Sequence, residues 1–164
     1  MGETATVTKA RPVAAGSTQM RAVEVDDITR ALLRFETGAT GSLEANWSAT
    51  GRKMQHDFEI YGTKGGLVFT QERFNELQLY STEDPSGRRG FRTIFAGPEH
   101  EPYGAFCVAP GHQLGFNDLK AIEMRDFILA IAGREAKGPD FREGAEIQRL
   151  VAAIYRSEER RVGK

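Results

Sequence analysis

The chain holds a single cysteine, Cys107, among its 164 residues, so no disulfide forms within it. A reducing, cytoplasmic setting fits that usage. No apolar run approaches the roughly 20 residues that a bilayer-spanning helix needs, and no apolar h-region follows Met1. No membrane partner is therefore expected. Neither charge sign dominates: 22 Lys and Arg stand against 23 Asp and Glu, a formal net charge of −1. That balance excludes a nucleic-acid binder working through phosphate neutralisation. The three histidines, His56, His100 and His112, form no i,i+4 metal pair, so no metal site is expected. G-x-G-x-x-G, the Walker spacing and G-x-S-x-G are all missing, and Cys107 has no nucleophile signature around it. No catalytic or cofactor-binding residue can be assigned.

What is present is ordinary globular composition, 40% hydrophobic and 27% charged, with room for one domain and a core of its own. The first two-thirds read as strands. Thr4–Val13 is rich in Thr and Val. Ile28–Glu36 alternates, with Ala31, Leu33 and Phe35 on one side and Arg30 and Arg34 on the other. Thr37-Gly38 turns the chain into Ser42–Ser48, where Leu43, Ala45 and Trp47 alternate with polar residues. This period of two marks half-buried antiparallel strands. Asp57–Tyr61 and Leu67–Thr70 flank a glycine-rich hairpin turn, Leu77 and Leu79 mark a short strand, and Phe91–Phe95 adds another. The proline- and glycine-bearing stretch 97–115 reads as irregular loop.

The last third is helical. Ile122, Met124, Phe127, Ile128 and Ile131 form an apolar stripe, with Asn117 or Asp118 as the expected cap. A second helix starts near Arg142, led by an Asp140/Glu143 capping-box pattern, with Ile147, Leu150, Val151 and Ile154 on one face. The fold class is α+β: a large, mostly antiparallel open sheet with two or more helices on one face. Phe35, Leu43, Trp47, Phe58 and Ile60 are expected to meet Phe127, Ile131, Leu150 and Ile154 in the core. Arg30, Arg34, Glu44, Asn46, Glu59 and Tyr61 are expected on the opposite, open face.

Charge gathers where elements end. Arg52 and Lys53 directly follow a clean strand, and Lys120 sits in the first turn of a helix, where the dipole opposes a cation. His112, Asn117 and Asp118 lie just upstream. Cations and amides at such ends bind hydroxyls or carboxylates.

The run from Asp26 to Gly66, DDITRALLRFETGATGSLEANWSATGRKMQHDFEIYGTKGG, resembles the C-terminal domain of Gfo/Idh/MocA oxidoreductases. So do GHQLGFNDLKAIEMRDFILAIAGR and GPDFREGAEIQRLVAAI, in the same order. The LRFETGATGSLEA and FEIYGTKGGL hairpins are the more specific parts. The resemblance implies an open antiparallel sheet that walls a substrate pocket and builds a homo-oligomer through its free face. It implies a preceding Rossmann domain, NAD or NADP as cofactor of the intact parent, and a sugar or polyol as the small-molecule substrate. In that family the nucleotide fingerprint, the Glu-Lys-Pro motif and the Asp-x-x-x-His motif all precede the point where this chain begins. Four residues before His56, His100 and His112 stand Arg52, Ala96 and Val108, so no Asp-x-x-x-His occurs here. The substrate-facing regions that carry over hold Arg52, Lys53, His112, Asn117 and Lys120. Residues 1–156 read as the substrate and oligomerisation domain, and 157–164 as a non-native or disordered tail. Truncation at both ends is expected, with Met1 internal to a longer chain. The alternative is a stand-alone, non-enzymatic sheet module that binds a small polar ligand or serves assembly.

Overall fold

The computed structural model describes residues 1–134 and 138–162. In chain order the elements are β1 (Gly2–Ala5), β2 (Ala10–Pro12), β3 (Met20–Ala22), β4 (Ile28–Arg34), β5 (Thr40–Asn46), β6 (Asp57–Gly62), β7 (Gly65–Thr70), β8 (Glu76–Ser81), β9 (Arg92–Phe95), α1 (Phe116–Ile131) and α2 (Phe141–Val162). Strands precede helices and every described strand pair is antiparallel, so the class is α+β. The strands form three hydrogen-bonded sheets, ordered β1-β4-β5, β2-β3 and β6-β7-β8-β9. β3 is a strand that the Gly16–Thr18 loop and its polar flanks did not reveal. Among the described residues, no helix is long and apolar enough to cross a membrane.

The chain divides into two compact units. The first comprises Met1–Gly51 with Pro139–Lys164. Its β4–β5 hairpin turns at Gly38, whose φ of 87° is open to glycine and strained for residues with a Cβ. Across the ladder Arg30 faces Glu44, and their side chains pair at 2.9 Å, so these two share a face of the sheet; Glu59 and Tyr61, expected on that face, belong to β6 in a different sheet. β1 adds to the free side of β4. Helix α2 is seated beside β1, where glycine permits the approach: a Cβ on Gly2 would lie 2.6 Å from the Ile154 carbonyl oxygen. Ile154 is the buried residue of the α2 stripe. The capping box is complete: Asp140 Oδ1 accepts the Arg142 and Glu143 amides at 2.8 and 2.9 Å, and Glu143 Oε2 accepts the Asp140 amide at 3.1 Å. Of the tail read as separate, Ser157–Val162 continue α2, and Gly163 and Lys164 lie outside the described residues. Ser157 Oγ accepts the Gly2 amide and Glu158 accepts the Thr4 amide, both at 3.1 Å.

Asp27 is the buried charge of this unit, 5% exposed. It accepts the Thr8 and Val7 amides at 2.8 and 2.9 Å and pairs with Arg11 at 3.0 Å. The Thr8 bond foremost, then the Val7 bond and Arg11, outweigh burial and hold its carboxyl below the usual range. These bonds anchor the base of the exposed β2–β3 hairpin.

The second unit is Arg52–Gly138. Its sheet starts from the β6–β7 hairpin, closed at the Gly62–Gly65 pair, and Phe58 stacks on Phe69 with centroids 5.1 Å apart. The Asn75 carbonyl accepts the Ala96 amide at 2.7 Å, prolonging the β8–β9 ladder. Gly115 occupies the N-cap of α1, and Asp118, not Asn117, closes it by accepting the Gly115 amide at 2.7 Å.

The expected core does not form. Trp47 is 84% exposed, and Phe35, Leu43, Phe58, Ile60, Phe127, Ile131 and Leu150 are exposed as well, leaving Ile154 alone buried from that set. Within the first unit the reason is position: α2 covers β1, whereas Leu43 belongs to β5 at the opposite edge of the three-stranded sheet. Trp47→Ala is accordingly expected to change the unfolding free energy of the free chain by under about 0.5 kcal/mol. The roughly 3–5 kcal/mol cost of a core aromatic, read by urea denaturation, would contradict the exposed placement.

Candidate functional site

All five candidate side chains belong to the second unit. Arg52 and Lys53 begin the loop that leads into β6, and one carboxylate organises them. Glu72, in the short 3₁₀ turn Gln71–Arg73, meets the Arg52 guanidinium at 3.3 Å and accepts the Lys53 backbone amide at 2.8 Å. Among the described residues the Lys53 ammonium has no partner and lies exposed. Gly51 and Met54 on either side have φ of 96° and 56°, so the loop passes twice through the left-handed region. Glycine occupies it freely; methionine does so at a steric cost.

Lys120 occupies the first turns of α1. Its Nζ donates to Glu123 at 2.7 Å and lies 5.7 Å from the Phe116 ring centroid. Asn117 is exposed in the same turn, and its amide has no described partner. His112 is exposed upstream. Its amide donates to the Ala109 carbonyl at 3.1 Å, its carbonyl accepts the Cys107 thiol at 2.6 Å, and its ring is free among the described residues. Cys107 is thus a buried thiol satisfied by backbone.

Two residues tie these loops to the sheet, and the sequence reading singled out neither. Glu72 is one. Asn75, 9% exposed, is the other: its Nδ2 donates to the Leu114 carbonyl and its Oδ1 accepts the Leu114 amide, each at 3.0 Å. No local signal marks them, since Arg73-Phe74-Asn75-Glu76-Leu77 reads as the start of an ordinary strand.

The exposed groups are donors: guanidinium, ammonium, imidazole and amide. They suit hydroxyl or carboxylate oxygens. The sequence signature and the parallel pairing that cradle a dinucleotide pyrophosphate are not found among the described residues. The described strands pair only antiparallel, and no G-x-G-x-x-G turn joins a strand to a helix. Among the described residues, no group of three or more His, Cys, Asp or Glu side chains is placed to hold a metal ion.

Comparison with known proteins places the fold in a family. Residues 1–163 match the family described as "Oxidoreductase family, C-terminal alpha/beta domain" of the Gfo/Idh/MocA group. A levoglucosan dehydrogenase from Pseudarthrobacter phenanthrenivorans is 42% identical over 136 residues, covering 82% of this chain and 35% of that protein. The crystal structure of an NAD-binding oxidoreductase from Klebsiella pneumoniae superposes with a TM-score of 0.88 at 38% identity, over 98% of this chain and 42% of that one. Levoglucosan dehydrogenase in complex with NADH and levoglucosan superposes with a TM-score of 0.87 at 37% identity, again over 98% and 42%. The chain therefore spans between a third and a half of the length of these relatives. It belongs to the Gfo/Idh/MocA oxidoreductase family, as the C-terminal alpha/beta domain.

Proposed function

We propose that this chain forms the substrate-side wall of an NAD(P)-dependent dehydrogenase acting on a sugar, polyol or related hydroxy compound. The observation that carries the reading is the 42% identity to levoglucosan dehydrogenase. A compact anhydrosugar of that kind presents hydroxyl oxygens, which match donors of the type held by Arg52, Lys53, His112, Asn117 and Lys120. These residues bind and orient the substrate. A nucleotide-binding half preceding the chain supplies the dinucleotide site, and with it the hydride acceptor and the proton-transfer groups. The chain alone is inactive. The charged face around Arg30, Arg34, Glu44 and Asn46 joins copies of the assembled enzyme, in the cytoplasm.

The test is a fusion of the nucleotide-binding half of levoglucosan dehydrogenase to this chain. The fusion is expected to reduce NAD on addition of levoglucosan or a related sugar. The free chain is expected to show calorimetric NADH binding weaker than about 100 μM, roughly −5.5 kcal/mol. A fusion that folds and binds NADH yet oxidises no sugar or polyol would overturn the reading, as would tight NADH binding by the free chain.

A further inference from the structure

We propose that Glu72 and Asn75 act as one brace that sets the geometry of the substrate-facing loops, making them positioning residues for sugar binding. The inference rests on the functional reading above, and names residues that the reading itself does not use.

The brace stands on a rigid base. Gln71, at the head of the Glu72 turn, donates its amide to the His56 carbonyl at 3.1 Å, which prolongs the β6–β7 pairing beyond the strands. Three residues after Glu72, Asn75 gives its carbonyl to the Ala96 amide, prolonging β8–β9. The segment between β7 and β8 is therefore fixed by backbone at both ends, leaving its side chains to reach outward.

Each arm does something that ordinary surface contacts do not. Asn75 is a buried polar side chain that makes a two-way bond to the backbone of a residue 39 positions away. It reproduces, through a side chain, the paired amide and carbonyl exchange of an antiparallel bridge. Its partner Leu114 is buried and immediately precedes the N-cap Gly115, so the bond fixes where α1 begins. Asn117 and Lys120 stand on that first turn, and His112 two residues before Leu114. Burial makes the bond hard to give up, because either partner left alone is a desolvated, unpaired group.

Glu72 holds the other loop through two kinds of bond. The Lys53 amide is fixed by an oxygen that any carboxamide also offers, whereas the Arg52 pairing needs the charge. With Arg52 so engaged, the Lys53 ammonium has no partner among the described residues, and the next residue, Met54, stands in the left-handed conformation that its Cβ disfavours. Residues in such sparsely populated conformations cluster at ligand clamps and binding sites. Because both arms spring from residues 72–75, a shift of this segment changes both loops together.

Two measurements test the brace. The first is amide hydrogen exchange on the 164-residue chain. Glu72→Ala is expected to speed exchange at Lys53 by tenfold or more, and Asn75→Ala to do the same at Leu114 and in the first turn of α1, with Leu67 and Leu79 in the β7–β8 ladder unchanged within threefold. The second is kinetics of the fusion enzyme. Glu72→Ala is expected to raise the KM for the sugar at least fivefold, with kcat within twofold and the KM for NAD unchanged, and Glu72→Gln, which keeps the acceptor for Lys53, to restore most of the loss. Asn75→Ala risks the fold, whereas Glu72 lies at the surface, so the Glu72 pair decides the matter if the other variant fails to fold. Unaltered exchange at Lys53 and Leu114 in folded variants overturns the brace. A sugar KM unchanged in Glu72→Ala, or a parallel rise in the KM for NAD, overturns its role in positioning. If the unsubstituted fusion oxidises no sugar, the functional reading fails and takes the positioning role with it, while the exchange data still decide whether the brace exists.

Discussion

Gly65→Ala is expected to destabilise the chain by about 2 kcal/mol, within the range for forcing an extra group into packed structure. A Cβ built on Gly65 meets the Tyr80 carbonyl oxygen well inside van der Waals contact. The obstacle is backbone, so no side-chain rotation relieves it. Nor can the backbone yield easily. Gly65 pairs with Ser81 on one side and with Gly62 across the hairpin on the other, and Gly66 pairs with Tyr80. The effect is purely steric, since Gly65 is not among the positive-φ glycines. Gly87 provides the contrast: nothing lies within 4 Å of its Cβ position, so Gly87→Ala is expected to fall within about 0.5 kcal/mol of the parent chain. Urea denaturation of both variants, with unchanged m-values, checks the pair. Equal midpoints for the two would show that the β7–β8 pairing at Gly65 is misplaced.

Lys53→Ala in the fusion enzyme is expected to lower kcat/KM for the sugar by tenfold or more, about 1.4 kcal/mol. Among the three candidate cations it is the one whose charge is uncommitted. Arg52 is paired with Glu72, and Lys120 with Glu123 beside the Phe116 ring. An ammonium already held by a carboxylate has less to offer an incoming hydroxyl than a free one has. Lys120→Ala is accordingly expected to cost less than Lys53→Ala, while NADH affinity stays constant in both. Steady-state kinetics with NADH titration reads all three quantities. If Lys53→Ala keeps parental kcat/KM, the substrate is held elsewhere.

The β4–β5 and β6–β7 hairpins, the Asp140–Glu143 capping box and both helices were legible in the sequence because each is local. A turn glycine, an alternation of period two or a side chain bonding three residues away leaves its mark within a short window. Strand β3 was not legible, because its three residues lie amid polar and glycine-bearing segments with no alternation to detect. Burial was misread for a different reason. Period two shows that Leu43 and Ala31 share a face, and the Leu43–Ala31 pairing agrees, yet nothing in that period says whether a helix lies over it. The candidate site divides the same way. Arg52, Lys53 and Lys120 stand out as charges at element ends, but which of them is neutralised depends on Glu72 and Glu123. Asn75 acts across 39 positions, a distance over which sequence pattern says nothing.

The helix that closes over β1 sets a timetable for synthesis. The Gly2 amide finds its acceptor 155 positions later, on Ser157, and the Thr4 amide 154 positions later, on Glu158. At roughly 5–20 residues per second, that separation corresponds to about 8–30 s on the ribosome. For that interval β1 can already pair with β4, but its outer edge presents unsatisfied backbone to whatever strand is near. The final turns of α2 are made more than 150 residues after the strand edge that they close. A nascent chain stalled before Ser157 therefore displays an adhesive strand that the finished domain conceals.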